Sequence, residues 1–260
     1  MSFSADWLAL REPADRAARD PGLVAELAAW LAGRPARVTD LGCGTGASWR
    51  ALAPALPPGT QWLMVDADPA LLDRARRAAA GRPGLGFLRA DLAEALETVL
   101  ARPADIVTAT ALIDLASRDW LTRLGQAVPA GAAVYVALSY DGQESWTPPH
   151  PAEARALAAF HRHMRRNKGL GSGPALGPEA GAALAGMLAA RGWRVRVAQS
   201  PWRLGPRDAA LIAALADGAA AAVAETGALD PATLGHWHAA RRAAREVRVG
   251  HCDILALPPG

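Results

Sequence analysis

Asp40-Leu41-Gly42-Cys43-Gly44-Thr45-Gly46 (DLGCGTG) lies between a short apolar run, 37–41 (RVTDL), and a helical stretch, 47–56. Three glycines in five residues let the backbone approach a ligand with no Cβ in the way and reach positive φ. The start of the following helix offers free N–H groups and the positive end of the helix dipole. A glycine turn alone could equally be a tight strand-to-helix connection with no ligand, so the surrounding sequence decides.

Outward from this turn, apolar runs alternate with helical patterns. The stretch 61–65 (QWLMV) predicts a second strand. Asp68-Pro69 predicts a helix start, with an N-cap carboxylate and proline in the first turn. A third strand follows at 86–89, a fourth at 104–110 (ADIVTAT), a helix over 117–127 and a fifth strand at 132–138 (AAVYVAL). That alternation predicts an α/β fold on a mostly parallel sheet. Residues 1–34 read as a helical cap in front of this 37–138 core. After 138 the rhythm changes. The stretch 139–151 (SYDGQESWTPPHP) reads as a polar, aromatic loop, followed by a helix over 152–166 and a glycine-proline stretch at 169–178. A helix over 179–191 stops at Gly192. A sixth strand is expected at 193–197, helices at 206–226 and 231–246, and a last strand at 247–257. With no repeat and no linker, 1–260 reads as a single domain, and 139–192 as its substrate-side loop and helices.

Composition sets bounds. Of 260 residues, 51% are apolar, enough for a sizeable core, and 28 Lys+Arg against 25 Asp+Glu leave a formal charge of only +3. The arginine clusters Arg74–Arg76–Arg77, Arg162–Arg165–Arg166 and Arg241–Arg242–Arg245 are short and read as solvated faces, unlike the basic stripe of a nucleic-acid binder. Two cysteines make no disulfide framework. The N-terminus lacks a signal-peptide pattern, and no run approaches about 18 apolar residues. The expectation is a soluble cytoplasmic protein, monomer or homodimer, with neither membrane nor nucleic acid as partner.

Two acids accompany the glycine turn. Asp66 ends the second predicted strand 20 residues beyond Gly46, where a carboxylate can accept both hydroxyls of a ribose. Asp91, in Arg89-Ala90-Asp91-Leu92 after the third strand, can accept from an adenine amino group while Leu92 packs on the ring. It could equally be a helix N-cap, the reading preferred for Asp68. A dinucleotide fold also has a glycine turn and an acid after the second strand, but Gly-Cys-Gly-Thr-Gly lacks the later glycine of G-x-G-x-x-G.

In order and spacing, these segments over 37–138 resemble the class I S-adenosylmethionine-dependent methyltransferases. DLGCGTG is similar to that family's first motif, Val65-Asp66-Ala67-Asp68-Pro69 to the acidic second, Arg89-Ala90-Asp91-Leu92 to the third, and ADIVTAT to the fourth strand. The resemblance implies a three-layer αβα, Rossmann-like sheet of seven strands whose last is antiparallel. It implies S-adenosylmethionine as cofactor, S-adenosylhomocysteine as product, and a site at the carboxyl ends of strands one, two and four. There Gly42, Gly44 and Gly46 would face the methionine part, with Asp40 acting through its amino group or a water. Asp66 would meet the ribose, and Asp91 with Leu92 the adenine, while Cys43 and Ala67 belong to the same cofactor-binding set. Thr110 and Ala111 would lie under the methionine and the transferring methyl. Arg11 is a candidate for the methionine carboxylate; the alternative is a surface arginine paired with Glu12 or Asp15. The family usually joins its last two strands by a tight hairpin, whereas this chain has a helical insertion, 202–246.

Methyl transfer from a sulfonium is an in-line displacement that alignment alone can promote, and a base is needed only if the acceptor must lose a proton. Polar candidates on the substrate side are Asp114, Tyr140, Asp141, Trp146, His150, His161, His163, Arg165, Asn167 and Lys168. Tyr140, His150 and His161 are the catalytic candidates, although Leu157, His161 and Met164 share a helix face on which a histidine could simply pack. Lys168 reads either as a lid residue that meets an anion or as a cation favoured at a helix C-terminus. Asp114 and Asp141 could bind a divalent cation, but no third oxygen ligand accompanies them, so no metal is expected. Thr-Ala-Leu-Ile-Asp after strand four is no Asn-Pro-Pro-Tyr-like tetrad, which argues against amino-group methylation of nucleobases or glutamine. The expected activity is methylation of an oxygen or nitrogen of a small molecule. The rivals are an RNA or protein methyltransferase, a cofactor-binding protein without turnover, and a nicotinamide enzyme.

Overall fold

The computed structural model describes residues 3–259. Helix α1 (Ala5–Ala18) starts at Ser4, whose hydroxyl accepts from the Trp7 N–H, and α2 (Pro21–Leu31) starts at Asp20, with proline in its first turn. Strand β1 (Arg37–Leu41) runs through the glycine turn into α3 (Ala47–Leu52), which tightens to a 3-10 turn at Ala53–Ala55 before Pro57. Then come β2 (Gln61–Asp66), α4 (Pro69–Ala78), β3 (Leu85–Arg89), α5 (Leu96–Leu100), β4 (Ile106–Thr110) and α6 (Arg118–Ala127). The carboxyl-terminal part holds β5 (Ala133–Thr147), α7 (Glu153–Met164), α8 (Ala180–Ala190), β6 (Arg194–Gln199), β7 (Trp202–Leu204), α9 (Ala209–Ala224), α10 (Pro231–Arg242) and β8 (Glu246–Leu257).

The strands form one sheet in the order β3-β2-β1-β4-β5-β8-β6, with β7 also paired to β8. Strands β1 to β5 are parallel, and β8 runs antiparallel to β5, β6 and β7. The sequence pattern predicts seven strands; the described residues form eight, because the chain pairs Trp202–Leu204 with Val247–Val249 before the inserted helices begin. The alternation of β5 shows why the sheet has two covered faces. Val134 and Val136 join the core beneath α5, α6 and α8, whereas Ala133, Tyr135 and Ala137 join the one beneath α2, α3 and α4. Apolar burial on both faces makes a three-layer sandwich.

The expected loop 139–151 is largely strand. β5 continues to Thr147 through two register breaks against β8, between Val136 and Ser139 and between Tyr140 and Glu144. Its far half pairs with the amino-terminal half of β8, and Tyr140 and Trp146 enter a separate apolar cluster with Trp202, Leu211, Ile212 and Val247. The polar composition of this stretch conceals that role because its charge is matched by a distant residue. Arg241 of α10, expected on a solvated face, is 3% exposed. It is ion-paired to Glu144 (2.8 Å) and to Glu153, between the rings of Trp146 and Trp237. The inserted helices are thereby fastened to the prolonged β5. Asp253, fully buried on β8, secures the first register break by accepting from the Leu138 N–H (2.8 Å), the Ser200 hydroxyl (2.6 Å) and the Asp20 N–H (2.9 Å).

Candidate active site

Strand order reverses between β1 and β4, and the cavity lies there, at the carboxyl ends of the strands, as open α/β sheets dictate. Ten of the twelve expected cofactor residues line it, all but Asp40 and Gly46. One wall is the turn Gly42–Thr45 with Ala47 and Ser48. A second is Asp66–Asp68 at the end of β2, a third Asp91 and Leu92, a fourth Thr110, Ala111 and Leu112. Leu8 and Arg11 of α1 close one side, and Lys168, Gly169 and Leu170 another.

Backbone geometry sets the first wall. Gly46 has φ +90°, and a Cβ there would lie 2.9 Å from Met64 Cε on β2, so the turn requires glycine in both conformation and space. Asp66 holds the turn to β2: its Oδ2 accepts from Gly44 N–H (2.8 Å) and its Oδ1 from Asp68 N–H (2.9 Å). Each oxygen keeps a further lone pair for a hydroxyl. Asp68 caps α4 as expected, accepting from Ala70 N–H (2.8 Å). Asp91 serves its own turn with one oxygen, which accepts from Ala93 N–H (2.9 Å). Leu92 is buried and fixed by the Trp120 indole, which donates to its carbonyl (2.7 Å). At the tip of β4, Ala111 has φ +49°, a strained conformation for a residue with a Cβ, directly on the cavity wall.

Behind Ser48 and Thr110 sit two charged groups that sequence reading does not bring together. Asp40 is fully buried, and neither carboxylate oxygen has a hydrogen-bond partner. Burial pushes its carboxyl up to about 7, against the pull of the neighbouring Ser48 hydroxyl and the Arg19 charge. Arg19 is also buried; its Nη2 donates to Thr110 Oγ1 (2.9 Å), which is 2.9 Å from Ser48 Oγ, while Nε and Nη1 have no partner. Arg19 and Ser48 carry no motif that would single them out; only the fold delivers them. Arg11 does reach the wall, but its fork is held by Asp15 (2.9 and 3.1 Å) and lies 4.9 Å over the Trp202 ring.

The three catalytic candidates stand elsewhere. None of Tyr140, His150 and His161 lines the cavity. The buried Tyr140 hydroxyl donates to Glu144 Oε1 (2.9 Å) and lies 3.1 Å from His161 Nε2, and burial beside Glu144 raises it far above its usual range. His150 Nδ1 accepts from Ala152 N–H (3.1 Å), a local turn contact.

Over residues 38–128 the chain matches the profile of the methyltransferase domain family. The matched stretch runs from β1 to the end of α6, about a third of the chain. The sheet order and the antiparallel β8 make the fold a Rossmann-like one. Two solved structures share the fold across nearly the whole chain. The YcgJ protein of Bacillus subtilis is 12% identical, with a TM-score of 0.51 over 93% of this chain and 100% of that one. A Bacillus halodurans protein assigned as a methyltransferase is also 12% identical, with a TM-score of 0.53 over 93% and 99%. A S-adenosylmethionine-dependent methyltransferase from Thiobacillus denitrificans, solved with S-adenosylhomocysteine, is 18% identical over 99% of this chain and 100% of that one, with a TM-score of 0.47. No curated protein matches by sequence. β7, β8 and the α9–α10 pair lie outside the matched stretch. Among the described residues, no helix is long and apolar enough to cross a membrane.

Proposed function

We propose that the protein transfers the methyl group of S-adenosylmethionine to an oxygen or nitrogen of a small-molecule acceptor. The observation that carries this reading is a glycine-turn cavity with a buried carboxyl, Asp40, and a buried guanidinium, Arg19, beside it, each with polar atoms that lack a hydrogen-bond partner among the described residues. Buried polar atoms without partners are costly, and the zwitterionic head of the cofactor would satisfy both, its ammonium at Asp40 and its carboxylate at Arg19. Arg11, already paired to Asp15, then shapes the wall and does not supply the clamp. Asp66 would accept from the ribose hydroxyls, and Asp91 from the adenine amino group, with Leu92 against the ring.

When bound, S-adenosylmethionine supplies an electrophilic methyl carbon on a sulfonium sulfur. The chain's own contribution is alignment and exclusion of water. Thr110 and Ala111 form the floor beneath the reacting end, and the left-handed Ala111 turns the backbone away from the path of the acceptor. Leu8, Leu112, Leu115 and Leu170 give that end an apolar surround. The lining would hold the acceptor's oxygen or nitrogen in line with that carbon, and an acceptor that enters already deprotonated or as a neutral amine needs no base from the chain.

A small acceptor is favoured because α1 and the 168–170 segment both close on the cavity. The arginine clusters offer little to a nucleic acid: Arg76 pairs with Asp73, Arg165 with Glu179, Arg166 with Glu225 and Arg242 with Asp217. Two buried free thiols, Cys43 and Cys252, suit the reducing cytoplasm, and the protein would act there as a monomer or homodimer. The test is calorimetric titration with S-adenosylmethionine, S-adenosylhomocysteine and NADH, followed by transfer of a labelled methyl group to a panel of acids, phenols, amines and RNA. Binding of the first two and labelling within the small-molecule panel are expected. Binding of NADH alone, or label only in RNA at low salt, would overturn the reading.

A further inference from the structure

Lys168 is the sole lysine of the chain, and it lies on the cavity wall with Gly169 and Leu170. Its backbone is strapped down. The Asn167 side chain accepts from Gly169 N–H (2.7 Å), Ser117 N–H donates to the Leu170 carbonyl (2.9 Å) and Leu176 N–H to the Ala116 carbonyl (2.8 Å). Gly171, at φ +99°, sits so close to α6 that a Cβ there would be 2.1 Å from Ser117 Oγ. The segment is therefore a fixed part of the wall.

The ammonium is half-buried, and among the described residues no carboxylate lies within ion-pair distance of it. Its polar contact is His163 Nδ1 (3.4 Å), and His163 Nε2 faces Glu225 Oε2 (3.2 Å), at the end of inserted helix α9. Burial and the lysine charge hold His163 below its usual pKa, so the neutral ring accepts at Nδ1 from lysine and donates from Nε2–H to glutamate. That arrangement orients Lys168 without cancelling its charge and leaves N–H donors for a ligand. The cavity lining also holds Leu8, Leu112, Leu115 and Leu170. The cofactor's own polar groups are matched by Asp40, Arg19, Asp66 and Asp91, which leaves this cation over.

We propose that Lys168 selects the methyl acceptor, pairing its ammonium with an anionic oxygen of a carboxylate carried on an apolar, ring-sized body. The proposal rests on the reading of the cavity as a S-adenosylmethionine site. It also gives the insertion a use, because Glu225 of α9 holds the histidine that positions Lys168.

The experiment titrates 4-hydroxybenzoate and its uncharged analogue 4-hydroxybenzamide into the full chain saturated with S-adenosylhomocysteine. The expected result is at least tenfold tighter binding of the benzoate, lost in Lys168→Met and retained in Lys168→Arg, with S-adenosylhomocysteine affinity unchanged in both variants. Equal binding of the two probes, binding of neither, or a benzoate preference that survives Lys168→Met overturns the proposal while leaving the cofactor reading intact. A tenfold loss of S-adenosylhomocysteine affinity in Lys168→Met assigns the lysine to the cofactor and also overturns it. Failure of the unaltered chain to bind S-adenosylhomocysteine overturns the cofactor reading, and this proposal with it.

Discussion

At the β3–β2–β1–β4 end of the sheet, the contacts of the glycine turn and its acids are short in sequence: Asp66 reaches back 22 residues to Gly44, and Asp91 caps its own turn. At the β5–β8 end, the decisive contacts span most of the protein's second half, with Arg241 meeting Glu144 across 97 residues and Glu153 across 88. The first region is specified by backbone requirements, since a turn that must reach positive φ beside β2 requires glycine. The second is specified by pairing between side chains, and any one of many arginines could have been the partner. The two regions therefore respond differently to substitution.

The largest effect is expected at Arg241. Arg241→Met leaves Glu144, 7% exposed, and the half-buried Glu153 without their cation, and breaking a buried pair costs about 3–5 kcal/mol. At roughly 2–4 °C per kcal/mol for a chain of this size, thermal unfolding moves down by about 10 °C or more. Affinity for S-adenosylhomocysteine, titrated below the transition, stays within about twofold. Combining it with Glu144→Gln and Glu153→Gln recovers much of the loss. A cofactor affinity that falls in step with stability would show that the two regions are not separable.

Asp66→Ala tests the opposite end. Hydrogen bonds to a charged group contribute about 1.5–3 kcal/mol, so loss of the ribose contacts weakens S-adenosylhomocysteine binding by about 100-fold in calorimetry. Unfolding shifts less than for Arg241→Met, because only the Gly44 and Asp68 N–H groups lose their acceptor. Unchanged binding would remove Asp66 from the cofactor site.

This contrast also explains what could be read without coordinates. Strands β1 to β4, their helices and the Gly42–Gly46 turn follow from local pattern, and ten of the twelve residues inferred for the cofactor line the cavity. β5 was legible only to Leu138, because Asp141 and Glu144 look like loop until β8 pairs with the strand and Arg241 with Glu144. Arg19 was hidden for the same reason. Its importance comes from lying with Asp40 behind Ser48 and Thr110, and no spacing in sequence announces groups that meet only after folding.

A third effect is in pH. Asp40 titrates at about 7 in the folded chain, because burial penalises its charge, against about 3.9 in an unfolded one. Its contribution to the stability of the free protein is thus present in full below about pH 4 and lost as pH rises through 7. A cationic ammonium beside it favours the ionised form, so S-adenosylhomocysteine binding releases a proton and tightens from pH 5 to 7, by up to about tenfold per unit. Titrations in buffers of different ionisation enthalpy read the proton directly. Asp40→Asn should flatten both profiles, and proton release that persists in that variant would place the titrating group elsewhere.

The smallest effect sharpens the division between the regions. Tyr140 has the chemistry of a catalytic base and a sequence position after strand five that suits one. Its hydroxyl is nonetheless committed to Glu144 and His161, and burial beside a carboxylate holds its proton on. Tyr140→Phe removes that hydrogen bond and leaves the ring packed against Phe160, at a cost of about 1 kcal/mol in unfolding. Because Tyr140 does not line the cavity, methyl transfer at saturating cofactor should change by less than about twofold, with an unaltered pH profile. A hundredfold loss of turnover with stability intact would return Tyr140 to the reaction, and would mean that β5 and the cavity act as one unit despite the separation of their contacts.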